Sequence, residues 1–262
     1  MTRAVLSMVL VAGVAVPAFA DVTVKQMGSG KGMGMSTNMA STSYIKGMKM
    51  RVDSVNGDTT RTMIFDVENQ KIYSFDSKKK EADVWDMADF GRQASTAVDM
   101  SQMKASITPN GQTKQIAGKT ATGYEMNVTV PTHLGDGKNA MAMQVTLNGP
   151  VWIVKGAPGA QDYMTFYKGA VEKGWIFSDP RAAKGQPGQA KAMAEMYRQL
   201  AATGGLAYET DMNIKMDGDG PMAAMMARMG NITMTSTVES VETSPLADSL
   251  FAPPADYKLS PK

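Results

Sequence analysis

Alternation with a period of two runs through most of the chain. Met63, Phe65 and Val67 point one way while Ile64 and Asp66 point the other, and after a turn at Glu68-Asn69-Gln70 the pattern resumes at Tyr73 and Phe75. A tip at Asp76–Glu81 leads into Ala82–Met87. Tyr124, Met126, Val128 and Val130 alternate with Glu125, Asn127 and Thr129, and Pro131 ends that run. Met141, Met143, Val145 and Leu147 alternate with Ala142, Gln144 and Thr146, and Met212, Ile214 and Met216 with Asp211, Asn213 and Lys215. Ile232 and Met234 close the series against Thr233 and Thr235. Such alternation marks strands with one apolar face. Short polar turns between consecutive strands predict an antiparallel meander, since parallel pairs need long crossovers.

Three segments carry helical spacing instead. Asp162–Lys173 places Tyr163, Phe166, Tyr167, Ala170 and Val171 on one side. Gln189–Thr203 places Met193, Met196, Tyr197 and Leu200 at i, i+3, i+4 and i+7, and Gly204-Gly205 stops it. Pro221–Arg228, with Met222, Met225, Met226 and Met229, has Pro at its first turn and Gly230 beyond its end. A weaker fourth helix is expected within Ala88–Lys104, and Ser178–Pro187 reads as a loop. The expectation is one α+β domain over 21–262, a curved antiparallel sheet with three or four helices on its concave apolar face.

The first twenty residues stand apart. Arg3 precedes an apolar run from Ala4 to Val16, and Ala18-Phe19-Ala20 forms an A-x-A cleavage signal before Asp21. Residues 1–20 read as a secretory signal peptide, because the run is shorter than the ~20 residues of a bilayer span. No later stretch approaches that length, so no transmembrane anchor is expected. The chain has no cysteine, hence no disulfide framework and no lipid-anchor thiol. A soluble periplasmic protein is the expected product. Net charge is +2, with acids and bases interspersed. Lys78-Lys79-Lys80 sits between Asp76 and Glu81 and reads as a solvated hairpin tip rather than a lipid or nucleic-acid patch. No nucleic-acid footprint is present. Oligomeric state is not legible.

Several motifs invite chemistry and fail on particular positions. GSGKG at 28–32 suggests a phosphate loop, but that motif needs glycine at 25 and Ser or Thr at 32, where Lys25 and Gly32 stand. The surrounding stretch, residues 26–39, reads as the loop, or ragged hairpin end, between a first strand, Val22–Met27, and a strand over Tyr44–Val52. Asp89-Phe90-Gly91 has no other kinase element around it. Asp217-Gly218-Asp219-Gly220 lacks the later Glu of a calcium loop. His133, the one histidine, lies in a polar stretch without identifiable partners for a triad. The protein is read as a non-enzyme with no cofactor.

Methionine is the compositional signal: 25 residues, more than Phe, Tyr and Trp together. Most fall on apolar faces. There they serve as pliable hydrophobes, suited to a core or to a cavity for ligands of variable shape. The expected cavity lining is Met63, Phe65, Tyr73, Phe75, Met126, Met143, Met212, Met216 and Met234, with Met222 and Met226 on a helical lid. The bound partner would be a lipid or another apolar small molecule. The alternative is a Cu(I)-binding or methionine-based stress protein, since thioethers suit soft metals. Its candidate ligands are Met33, Met35 and Met39, which sit among Gly and Ser, and the helical set Met222, Met226 and Met229.

Five stretches in order carry a resemblance: TSYIKGMKMRVDS (42–54), TMIFDVENQKIYSFDSKKKEADVWDM (62–87), TKQIAGKTATGYEMNVTVP (113–131), GPVWIVKGAPGAQDYMTFYKG (149–169) and LADSLFAPPADYKL (246–259). Together they resemble an uncharacterised bacterial periplasmic family. Its fold is similar to the lipoprotein carrier LolA, its receptor LolB and related lipid-binding proteins. The resemblance implies a strongly curved, half-open antiparallel sheet closed by helices around acyl chains. It transfers no contact residue and does not imply lipoprotein carriage.

Overall fold

The computed structural model describes residues 21–32, 35–88, 102–134, 141–173, 175, 180, 187–218 and 231–262. The first meander is β1 (Val22–Gly32), β2 (Met35–Lys46), β3 (Lys49–Asn56), β4 (Thr59–Asp66), β5 (Lys71–Asp76) and β6 (Glu81–Asp86). The second is β7 (Lys104–Ile116), β8 (Lys119–Leu134), β9 (Met141–Lys155), β10 (Gly205–Gly218) and β11 (Ile232–Thr243). The first and last strands of these two runs, β1 and β11, pair antiparallel and join them. A short β12 (Lys258–Pro261) lies parallel to β6 at the outer edge. The resulting open sheet has twelve strands, in the order β12-β6-β5-β4-β3-β2-β1-β11-β10-β9-β8-β7. Sheets of this many strands curl rather than lie flat.

Two helices sit in the connection between β9 and β10: α1 (Ala160–Glu172) and α2 (Pro187–Ala202). They pack on each other; α1 reaches β2 and β10, while α2 covers β7, β8, β9 and β10. Gly159 seats α1. It has φ +66°, and a Cβ there would lie 2.5 Å from Val22 Cγ2, so only glycine lets the connection settle on the start of β1. The side of the sheet beneath the helices carries most of the buried apolar residues. Ile45, Met50, Phe65 and Ile72 belong to one cluster with Phe166 and Leu206, and Met126, Val128, Leu147 and Ile214 to a second with Ala192 and Met196.

The expected fold class is corrected in its helices. The described chain is mostly strand, with two α-helices rather than three or four. The periodic segments Asp162–Lys173 and Gln189–Thr203 are α1 and α2. The Pro221–Arg228 segment, most of Ala88–Lys104 and most of Ser178–Pro187 lie outside the described residues, as do residues 1–20 and Asp89-Phe90-Gly91.

Two strand assignments change as well. Residues 28–32 are not a loop: Gly28 to Lys31 pair with β2 on one side and β11 on the other, so the glycine-rich stretch is the inner end of β1. Pairing on both sides satisfies each peptide group, and this outweighs the ~0.5–1 kcal/mol that each glycine costs within a strand. Tyr44–Val52 is not one strand either. It is broken by a turn at Gly47-Met48, where Gly47 has φ +55°.

The opposite side of the sheet has its own apolar patch. Phe65 pairs with Ile72, whereas Ile64 pairs with Tyr73 and Thr62 with Phe75. Tyr73 and Phe75 therefore face away from Met63 and Phe65. There they join Ile64 and Ala82 under the C-terminal segment, which contributes Leu246, Leu250, Phe251 and Tyr257. The Phe75 and Tyr257 rings meet edge to face at 5.4 Å. Lys46 Nζ and Arg51 Nη1 donate to the carbonyls of Leu246 (2.6 Å) and Leu250 (3.2 Å), which holds the segment down. At the lysine-rich tip, Lys78 pairs with Asp58 at 2.7 Å and Lys80 with Asp256 at 2.8 Å.

Phe251 is buried at the centre of this strap. Phe251→Ala is expected to lower unfolding free energy by about 3–5 kcal/mol, the usual cost of emptying a buried phenylalanine site. Urea denaturation checks this; a loss below about 1 kcal/mol would show that the strap adds little.

Candidate ligand cavity

A cavity of about 390 Å³ lies between the two helices and the sheet. Its floor comes from six adjacent strands, β4-β3-β2-β1-β11-β10. Register shows how they build it. One row runs Met39–Gly28–Ser236–Thr210, and the next runs Thr37–Gly30–Met234–Met212. Ser43, Val52 and Met63 form a third row across β2, β3 and β4. The two glycines place bare backbone where side chains would otherwise rise into the space. At Gly28 a Cβ would meet only Thr235 O at 3.4 Å and Met39 O at 3.7 Å, which is ordinary contact. Gly28 is thus not required by backbone strain; its effect is to leave room.

The walls are apolar. Seven methionines line the cavity: Met39, Met50, Met63, Met193, Met196, Met212 and Met234. Met212 and Met234 are directly opposed across β10 and β11, close enough to pack on each other. Met39 and Met234 stay 42% and 38% exposed on the two strands that flank β1. Phe65, Val24, Val52 and Leu200 complete the apolar wall.

The roof carries three tyrosines. Tyr167 stacks on Tyr197 at 4.5 Å and meets Tyr163 at 4.6 Å, linking α1 to α2. The Tyr167 hydroxyl donates to Met50 Sδ at 3.4 Å and ties the roof to β3. Burial pushes all three phenols above their ordinary value; both neighbours add to it at Tyr167, Tyr197 adds to it at Tyr163, and hydrogen bonding with Tyr167 partly opposes it at Tyr163 and Tyr197.

Sequence-expected residues separate into groups. Met63, Phe65, Met212 and Met234 come together on the cavity. Tyr73 and Phe75 lie on the other side of the sheet. Met126 is fully buried under α2, with Met216 packed against the same cluster, and Met143 lies further along β9 opposite Thr132. Met222, Met226 and Met229 lie outside the described residues, as does Met33. Met39 is on the cavity, and Met35 opens β2 opposite Gly32. Strand geometry spaces those two Cα atoms roughly 13 Å apart. Among the described residues, no group of three His, Asp or Glu could hold a metal. His133 is exposed on β8 opposite Ala142 and does not touch the cavity. Asp217 and Gly218 end β10, and the rest of that acidic motif is outside the described residues.

Sequence reasoning did not assign Met50, Met193, Met196, the three tyrosines or the glycine and hydroxyl floor to the site. The helical positions were visible as an apolar stripe. The floor was visible only as glycine at alternate positions, 28 and 30. No helix of the described residues is long and apolar enough to cross a membrane.

The tyrosine roof gives a pH dependence. A phenol whose folded value exceeds its unfolded value of about 10 stabilises the fold fully below pH 10. That contribution is lost as pH rises further, because the unfolded chain then releases protons that the folded chain keeps. Alkaline titration is expected to show tyrosinate absorbance from these three residues only together with loss of secondary structure. Their ionisation in a chain that keeps its circular dichroism would contradict the buried stack.

No family model matches the chain, and no curated protein matches it. Among solved structures the chain is similar to one described as "Structure of PNGF-II in C2 space group", with 10% identity and a TM-score of 0.28. The alignment covers 93% of this chain and 31% of that one. A likeness at that level carries no argument about fold or function.

Proposed function

We propose that the protein is a non-enzymatic carrier or receptor for an apolar small molecule, a lipid or acyl chain, held between the sheet and the two helices. The observation that carries this reading is the cavity of about 390 Å³. Its size is within the range of small-molecule sites, roughly 300–1,000 Å³, and suits one chain rather than several. Each buried methylene contributes about 0.8 kcal/mol, so about ten of them supply ~8 kcal/mol, the equivalent of micromolar binding before ordering costs are subtracted. Methionine walls suit a ligand whose shape varies, because an unbranched thioether side chain repacks at low strain. The signal-like residues 1–20 support a periplasmic place of action, and the resemblance to lipid-binding proteins points to the same class of ligand. Catalysis plays no part in this reading.

Gly28 provides the test. A leucine there would rise into the cavity without a backbone clash. Protein taken from the periplasm is expected to show a non-covalent mass of lipid size in native mass spectrometry. Gly28→Leu is expected to lose that mass and to weaken binding of a neutral apolar dye at least about tenfold, a change of ~1.4 kcal/mol, with its melting temperature little altered. Wild-type protein that carries no such mass and binds no such dye would overturn the proposal. A copper mass that disappears in Met39→Leu would replace it with the thioether-metal reading.

A further inference from the structure

We infer that the ligand is an uncharged amphiphile, a single chain ending in a hydroxyl, ester or amide group rather than in a carboxylate, phosphate or ammonium. This rests on the proposed function and names the ligand class of the same cavity. Two observations carry it. First, none of the described residues that line the cavity is Asp, Glu, Lys, Arg or His. Second, the lining is nonetheless not wholly apolar. Ser41 and Ser43 are nearly buried, at 8% and 9% exposure, and face the cavity from β2. Thr37, Thr210, Ser236 and Gln26 stand on the same floor.

Hydroxyl and amide groups both donate and accept, so this floor can pair with a neutral polar head in either sense. It cannot neutralise a full charge. An ionised head drawn into the site would lose water without gaining a counter-ion, which is the costly case for burial. The titratable groups on the lining are Tyr163, Tyr167 and Tyr197, and burial keeps all three protonated and neutral. Two deeply buried carboxylates elsewhere are already committed. Asp66 is held by Lys49 at 3.4 Å and by Asn69, and Glu195 by Arg198 and Gln199. Neither lines the cavity.

The experiment compares three ligands of one chain length on the full-length mature protein: hexadecanol, palmitate and hexadecyltrimethylammonium. Displacement of a neutral apolar dye is read at about pH 8, well above the ordinary carboxylate range. Hexadecanol is expected to bind at least about tenfold more tightly than either ion. Gln26→Lys, which places a cation on the cavity floor, is expected to raise the affinity for palmitate relative to hexadecanol, read as the ratio of the two displacement constants in the same variant. Palmitate or the ammonium binding as well as hexadecanol would overturn this inference and leave the proposed function standing. Failure of the dye and all three ligands to bind would overturn the proposed function itself.

Discussion

The pairing of β1 with β11 is the contact on which the rest of the molecule depends. Val22 lies opposite Thr243, so the pairing closes a loop of about 220 residues. Closing it costs roughly 5 kcal/mol of chain entropy beyond a constant. Val22, Val24 and Val238 are buried along this seam, and at ~1.5–3 kcal/mol each they supply an offset of similar size. Without the seam, each meander would expose an edge at β1 or β11 and the cavity floor would be split through its middle. The seam also explains why glycine is tolerated at 28 and 30. A strand at the centre of a sheet is held by hydrogen bonds on both sides and needs no side chain to stay in place. The two positions are thus available to make space.

The two sides of the sheet serve different ends. On one, the C-terminal segment fills the apolar patch with part of the chain itself, through Phe251, Tyr257 and the two carbonyls held by Lys46 and Arg51. On the other, the helices pack against the sheet and on each other through Tyr167 and Tyr197, but leave a gap above β1. A strap that follows the surface can fill it; a pair of rigid cylinders about 10 Å across bridging a curled sheet cannot.

The strands were legible because alternation is a local property. Their phase across a turn was not. Tyr73 and Phe75 alternate as well as Met63 and Phe65, yet a shift of one residue in pairing puts them on opposite sides, and nothing in the alternation fixes which residues oppose. The glycine-rich end of β1 escaped for a related reason. Gly28, Gly30 and Gly32 carry no side chain to alternate, so their strand character comes from neighbours at 35–41 and 233–238. The break at Gly47 was masked by the apolar and basic residues continuing on both sides of it. The helices α1 and α2 were readable because tyrosine and methionine recur at 3.6-residue spacing. That those stripes face a hollow rather than a filled core is a matter of where the sheet lies beneath them.

The methionines take on a more particular meaning once the cavity is in view. Seven of them surround one space, but they are not equivalent. Met50 is buried and fixed by the Tyr167 hydroxyl, whereas Met39 and Met234 remain open on either side of the glycine strand. An exposed methionine keeps side-chain freedom worth up to ~2 kcal/mol, which is surrendered only when something packs against it. In the proposed carrier, the open pair would set a cost on binding that any chain must meet, without favouring one chain shape over another. Selectivity has to come from atoms that do not move. Those are the hydroxyls of Ser41 and Ser43, on a strand held in register by pairing on both sides. In the proposed carrier, a rigid polar floor under pliable apolar walls would discriminate at the head of a ligand and tolerate variety along its length.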